Sequence, residues 1–280
     1  MIGIRAHDIG RMRVSQLAKA VADKGCSCVH LALQKAITDF DFSAGKLNPG
    51  LAKTIREAFG QEGVHISVLG CYINPVHPDL QVRRASLEKF KEYIRFVRDF
   101  GCGIVATETG SLNTDGSYHV DNSSPKAIEI LVESVKELVH EAEKFGVFVC
   151  LEGVTVHTVS NNAIMKHVID RVQSNNLQVL FDPANLLNAA NISRQQEVIS
   201  EAIKLYGDRI IAVHAKDFIL ENADKKSVPI GKGLLDYPFL MKTLCSWKPG
   251  IEILMEDTRP EWVEQSKKYI EELILGCSVG

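Results

Sequence analysis

Short runs of apolar, largely β-branched residues alternate along this chain with longer stretches in which apolar positions recur every three or four residues. The first kind of run reads as a buried strand and the second as an amphipathic helix. Eight strand-like runs stand out: "IGIRAH" near 2–7, "CVHLAL" near 28–33, "HISVLGCY" near 65–72, "GIVATET" near 103–109, "VFVCLEG" near 147–153, "QVLFDP" near 178–183, "RIIAVHAKD" near 209–217 and "GIEILMED" near 250–257. Helical patterns lie between them. "NPGLAKTIREAFGQ" has Pro49 at a first helical position, "SSPKAIEILVESVKELVHEAEKF" starts on Ser124-Pro125, and "RPEWVEQSKKYIEELIL" puts Pro260 in the same role. Gly25, Gly63, Gly101 and Gly146 each follow a helical pattern and precede an apolar run, where a left-handed helix end needs a residue without a Cβ. These joints stand 38, 38 and 45 residues apart, room for one strand, one helix and two loops.

Repeated strand-helix units imply a parallel sheet. Eight of them predict an α/β fold, a single closed (β/α)8 TIM barrel over residues 1–280, with no linker or shift of composition to divide it. The alternative is an open doubly wound sheet. Against it, the first strand runs into "DIGRMRVSQ" and not into a GxGxxG phosphate turn.

Composition narrows the picture. A length of 280 residues suits such a barrel, and 45% hydrophobic with 24% charged residues is the balance of a soluble globular protein. No apolar run approaches the roughly 20 residues that span a bilayer, so no membrane association is expected. "MIGIRAHDIG" lacks the features of a signal peptide, which predicts a cytoplasmic protein. Seven cysteines without a CxxC, among them Cys28, Cys71 and Cys150 in strand-like stretches, read as reduced and structural. A net charge of −3 gives no basic footprint for nucleic acid.

Active sites of these barrels lie at the C-terminal ends of the strands. Strand five ends in Glu152, strand six in Asp182, strand seven passes through His214 and strand eight ends in Glu256. Taken singly, a strand-end acid caps the next helix and a lone strand histidine is a hydrogen-bonded core residue. Taken together, three carboxylates at one rim repel one another unless a cation neutralises them, so the set predicts a divalent metal ion. Its oxygen-rich donors with one imidazole suit Mn²⁺, Mg²⁺ or Co²⁺, with Zn²⁺ as a further option. Other rim residues are candidate substrate contacts, each with a plain structural alternative. His7 ends the first strand, and "GCYINPVHPD" offers Tyr72, Asn74 and His77 or is simply a turn built on Pro75 and Pro78. Glu108 ends strand four, His157 follows Glu152 in its loop, and Lys216 points to the same side as His214 and can meet an anion or cap a helix. "PIGKGLLDY" reads as a flexible loop whose Gly231 and Gly233 let backbone approach a ligand, with Asp236 a helix cap.

With "FDPANLL", "VHAKDF" and "PIGKGLLDY", these strand ends resemble the xylose-isomerase-like TIM-barrel superfamily, near its branch of ketose 3-epimerases and sugar phosphate isomerase/epimerases. The resemblance covers nearly the whole chain. It implies that Glu152, Asp182, His214 and Glu256 hold one divalent metal ion. It also implies that Glu152 and Glu256 are the catalytic acid and base, moving a proton on and off the carbon next to a sugar carbonyl through an enediolate. The expected partner is a small-molecule sugar, and self-association into a homo-oligomer is common in the family. The chain departs from the epimerase pattern at Asn185, where a histidine is usual three residues after the aspartate, and at Leu220, where an arginine is usual. Contacts to substrate oxygens, Asn185 among them, are therefore expected to differ. The same scaffold hosts lyases of the inosose-dehydratase kind, abasic-site endonucleases and, in principle, non-catalytic sugar binders. The endonucleases need further zinc ligands, including the histidine that Asn185 replaces, and residues 218–235 contain no histidine.

Overall fold

A computed structural model of the chain describes residues 1–277. Ten strands are present: β1 (Ile2–Arg5), β2 (Cys28–Leu31), β3 (His65–Gly70), β4 (Ile104–Glu108), β5 (Phe148–Glu152), β6 (Leu177–Phe181), β7 (Ile210–Ala215), β8 (Asp217–Glu221), β9 (Asp224–Val228) and β10 (Glu252–Met255). Eight of them close in the order β1-β10-β7-β6-β5-β4-β3-β2. Every neighbouring pair runs parallel. This is the (β/α)8 TIM barrel, with β1 and β10 joined through Ile2–Ile253 and Ile4–Met255.

Local sequence accounts for the joints. Gly25, Gly63, Gly101 and Gly146 have φ of 70°, 70°, 75° and 60°, the left-handed backbone expected at each helix-to-strand turn. Asn48 accepts a hydrogen bond from Leu51 N ahead of helix Pro49–Gln61, and Ser124 accepts one from Ala127 N ahead of helix Pro125–Phe145. Pro260 does not start the last helix. A turn closed by Trp262 N donating to Arg259 O, with the Arg259 guanidinium 4.7 Å above the Trp262 ring, delays it to Val263–Cys277.

The barrel interior is layered because inward side chains recur at every second residue. Cys28, Val68, Ala106, Cys150, Leu180, Ala212 and Leu254 form a buried apolar belt. On β10, Leu254 is in this belt, with Glu252 two residues before it and Glu256 two residues after it. Polar residues therefore occupy both mouths of the barrel, separated by a dry middle. The outer core, between strands and helices, is larger and almost wholly aliphatic and aromatic.

Two further elements differ from the sequence reading. The seventh strand breaks at Lys216, and Asp217–Val228 folds back as the antiparallel hairpin β8–β9, turning through Asn222 and Ala223 with φ of 52° and 71°. The loop after it is not a free ligand-binding loop. Asp217 accepts backbone hydrogen bonds from Phe218, Gly231, Gly233 and Leu235, and a Cβ on Gly233 would collide with its carboxylate. The glycines let backbone approach an internal carboxylate instead. Asp236 does cap helix Tyr237–Trp247 by accepting from Phe239 N.

Candidate active site

The C-terminal mouth gathers the four strand-end residues. Glu152 is the last residue of β5, Asp182 follows β6, His214 lies in β7 and Glu256 follows β10. Each offers a donor atom within 4.8 Å of the others, and their exposures are 2%, 1%, 0% and 4%. His214 Nδ1 stands 2.5 Å from Glu256 Oε2 and 3.3 Å from Glu152 Oε1. His214 Nδ1, Glu256 Oε2 and Asp182 Oδ2 are buried, and none of them makes a well-aligned hydrogen bond among the described residues. Buried polar atoms are almost always hydrogen-bonded, so three buried atoms without an aligned hydrogen bond, on residues whose donors gather within 4.8 Å, fit a divalent cation. Two carboxylate oxygens, a third carboxylate and one imidazole make an oxygen-rich donor set of the kind that Mn²⁺, Mg²⁺ and Co²⁺ accept.

The supporting residues are equally specific. His30, fully buried on β2, places its Nδ1 2.8 Å from His214 Nε2, which fixes that ring and leaves Nδ1 facing the carboxylates. Asn185 donates its backbone N–H to Asp182 Oδ1 at 3.0 Å and its side-chain amide to Glu152 Oε1 at 2.6 Å. Arg5 donates to Glu256, Asp8 and Asp257. Asp257 holds a left-handed φ of 49°, unusual for an aspartate, while its carboxylate pairs with Arg5 at 2.6 Å and Lys216 at 3.6 Å. The Lys216 ammonium lies 3.1 Å from Asp182 Oδ2 and 3.5 Å from Glu256 Oε1, close enough to attract both although not in line for a hydrogen bond.

This arrangement separates the two glutamates electrostatically. Burial disfavours ionisation of Glu256, but His214, Lys216 and Arg5 outweigh it and hold that carboxyl well below the usual range. Burial raises Glu152, with His214 opposing, and raises Asp182 to about 6 despite Lys216. Burial also opposes protonation of His214, yet Glu256 and Glu152 keep its pKa well above that of a free imidazole.

The remaining rim candidates divide. Tyr72 stacks on His30 with centroids 5.9 Å apart, His7 meets Tyr72 edge-on at 6.2 Å, and the Tyr72 hydroxyl and His7 Nδ1 are buried without hydrogen-bond partners among the described residues. His7 sits in the helical turn Ala6–Ile9 just beyond β1, where burial, reinforced by Arg5 and Lys35, lowers its pKa to about 4. Glu108 and His157 face each other across 3.3 Å at the mouth. Asn74 is spent on structure: its amide donates to Ser111 O at 2.7 Å and accepts from Val76 N and Ser111 N, pinning the loop after β3 to the loop after β4. His77 Nδ1 accepts from Asp79 N and shapes the turn before helix Leu80–Phe96. Sequence reading passed over Arg5, His30 and Asp257. Asp257 adjoins Glu256 and Arg5 stands two residues before His7, whereas His30 neighbours no rim candidate along the chain.

A sequence model of the family described as xylose isomerase-like TIM barrel matches residues 18–273. No curated protein matches the chain significantly. Among solved structures, a D-tagatose 3-epimerase-like protein superposes with TM-score 0.79 at 17% identity, covering 99% of this chain and 98% of that one. D-psicose 3-epimerase, solved in the presence of D-fructose, gives 0.74 at 16% identity over 98% and 99%. A xylose isomerase-like TIM barrel protein from Mycobacterium smegmatis, in complex with magnesium, gives 0.72 at 16% identity over 98% and 94%. Likeness at these identities establishes the fold. Among the described residues no helix is long and apolar enough to cross a membrane.

Proposed function

This chain belongs to the xylose isomerase-like TIM barrel family, and from that premise we propose that it is a divalent-metal-dependent isomerase or epimerase of a small sugar or sugar derivative. All of residues 1–280 are read as one barrel domain serving this site. The observation that carries the reading is the convergence of Glu152 and Glu256 on His214 and Asp182 in a buried, incompletely paired cluster. The likeness to sugar epimerases on the same fold supports it.

In this reading Glu152, Asp182, His214 and Glu256 hold the ion. When bound, the cation supplies positive charge beside the carbonyl and hydroxyl oxygens of the sugar, which acidifies the neighbouring C–H. Glu256, kept ionised by the Arg5 and Lys216 cations beside it, takes that proton. Glu152, which burial biases toward its protonated form, returns one. The two carboxylates come from β5 and β10, separated by β7 and β6 in the barrel, so they approach a bound sugar from different sides. Lys216 adds fixed positive charge next to the accepting carboxylate. Tyr72, His7, Glu108 and His157 surround the mouth as contacts for hydroxyl groups. DNA cleavage is not proposed, because Asn185 is already bonded to Glu152 and a carboxamide is a poor further zinc ligand.

The test is NMR in deuterated water with a panel of ketoses, sugar phosphates and keto-inositols and with Mn²⁺, Co²⁺ or Mg²⁺ supplied. Deuterium appearing at the carbon next to the carbonyl without loss of water supports the proposal. Loss of water would instead identify a lyase using the same proton abstraction, and no exchange with any compound would contradict the reading.

A further inference from the structure

A second donor cluster closes the opposite, N-terminal mouth of the barrel. Cys28, His65 and Glu252 are the first residues of β2, β3 and β10. They bring a sulfur, an imidazole nitrogen and a carboxylate oxygen within 4.8 Å of one another. We propose that these three residues form a second, structural metal site, of the thiolate, imidazole and carboxylate kind that selects Zn²⁺ and that Co²⁺ can probe.

Four observations support the proposal. The donors are chemically mixed in the way zinc accepts, with a soft sulfur that Mg²⁺ and Mn²⁺ do not favour. The donor carboxylate is oriented from outside: Glu252 accepts from the Ser67 hydroxyl through Oε2, while Oε1 lies 2.6 Å from His65 Nε2. Access is built in, since the His65 side chain is 43% exposed and that of Glu252 21%, leaving an entry path for an ion from solvent. The sulfur is fixed, because Cys28 packs so closely over Gly3 of β1 that a Cβ there would overlap it.

The site is independent of the catalytic one. Leu254 separates Glu252 from Glu256 along β10, and the belt residues other than Cys28 fill the space between the two mouths. Its position suits a clasp. The strand order β10-β1-β2-β3 puts its ligands on both sides of the seam where the last barrel strand meets the first. Binding replaces the His65–Glu252 hydrogen bond by a metal–nitrogen and a metal–oxygen bond, its proton moving to His65 Nδ1 or out to solvent, and forms a metal–sulfur bond with release of the Cys28 thiol proton to solvent, with no change of oxidation state.

Sulfur makes the test selective, because the four donors of the upper mouth include none. Co²⁺ is titrated into the purified protein while the near-ultraviolet thiolate-to-cobalt absorption is followed. The band is expected to saturate in the wild type, vanish in Cys28→Ser, weaken strongly in His65→Ala and persist in His214→Ala. Zn²⁺ should bleach it and raise the melting temperature of the wild type but not of Cys28→Ser. Because His65 is partly exposed, its variant keeps the test interpretable if Cys28→Ser folds poorly. No band at excess Co²⁺ would overturn the proposal, and so would a band that survives Cys28→Ser, which would place cobalt on other thiols such as Cys245 and Cys277.

Discussion

The two mouths of the barrel use the same residue types to opposite ends. Strand β10 carries Glu252 into the lower mouth and Glu256 into the upper, and a histidine answers each, His65 at 2.6 Å and His214 at 2.5 Å. The lower glutamate has both oxygens hydrogen-bonded, by His65 and Ser67, and water reaches the pair. The upper one is buried with two more carboxylates and leaves three polar atoms of the cluster unpaired. Burying charge without completing its partners is costly, whereas a part-exposed ion pair is nearly neutral in energy. The difference separates a mouth whose single acid is paired within the protein from one where acids are concentrated at a stability cost, as proton-transfer sites require.

The sharpest way to break this contrast is to neutralise the upper acids. Glu256→Gln and Glu152→Gln keep shape and one ligand oxygen but cannot accept a proton, so turnover should fall by roughly 10²- to 10⁴-fold or more in each, with the melting transition retained. Near-normal turnover in both variants would mean that the carboxylates only hold metal.

A smaller effect is expected one residue away from the ligands. His30→Ala removes the partner of His214 Nε2 and should weaken metal binding by about 10- to 100-fold in a chelator competition. Gly70→Ala should act in the same direction by displacing the His30 ring, because a Cβ there would lie 2.5 Å from His30 Nε2. Unchanged affinity in both variants would remove His30 from the account.

Acidity gives a further handle. Burial raises Asp182 to about 6, and His214, against burial, is kept well above its ordinary value by the two glutamates. Both groups bind protons more tightly folded than unfolded. The stability they lend the metal-free protein is thus present below their unfolded pKa values and lost as pH rises through the folded ones. A cation needs Asp182 ionised and His214 neutral, so it competes with both protons. Mn²⁺ should therefore raise the melting temperature more at about pH 8 than at about pH 5. Equal shifts would contradict this.

The smallest change is expected below. His65→Ala should cost about 0–1 kcal/mol in a denaturant titration of the metal-free protein and leave the turnover of the Mn²⁺-loaded protein unaltered, because its contact with Glu252 is partly solvated. A large loss of turnover would tie the two mouths together.

How much of this was legible in the chain follows from the range of the interactions. The joint glycines and the caps Ser124 and Asp236 act over a few residues and could be read directly. Glu152, Asp182, His214 and Glu256 were legible as strand ends, because a parallel barrel brings all such ends to one rim. Arg5 and His30 were not, since each looks like an ordinary strand residue until its partners, 251 and 184 positions away, are in place. The hairpin β8–β9 was hidden for a related reason. "VHAKDF" continues an apolar strand pattern, and only Asp217, by gathering four backbone N–H groups, shows why the chain turns back there. Asn185 was noticed as a departure, but that its amide would steady Glu152 required the fold.

The most direct test is anomalous diffraction from crystals of the wild-type protein grown with Mn²⁺. The expected result is one strong peak in the upper mouth, within coordination distance of Glu152, Asp182, His214 and Glu256, and no comparable peak beside Cys28. Saturating Mn²⁺ that leaves those four side chains without a peak, or a peak coordinated by other residues, would contradict the assignment of the upper mouth as the metal-dependent site.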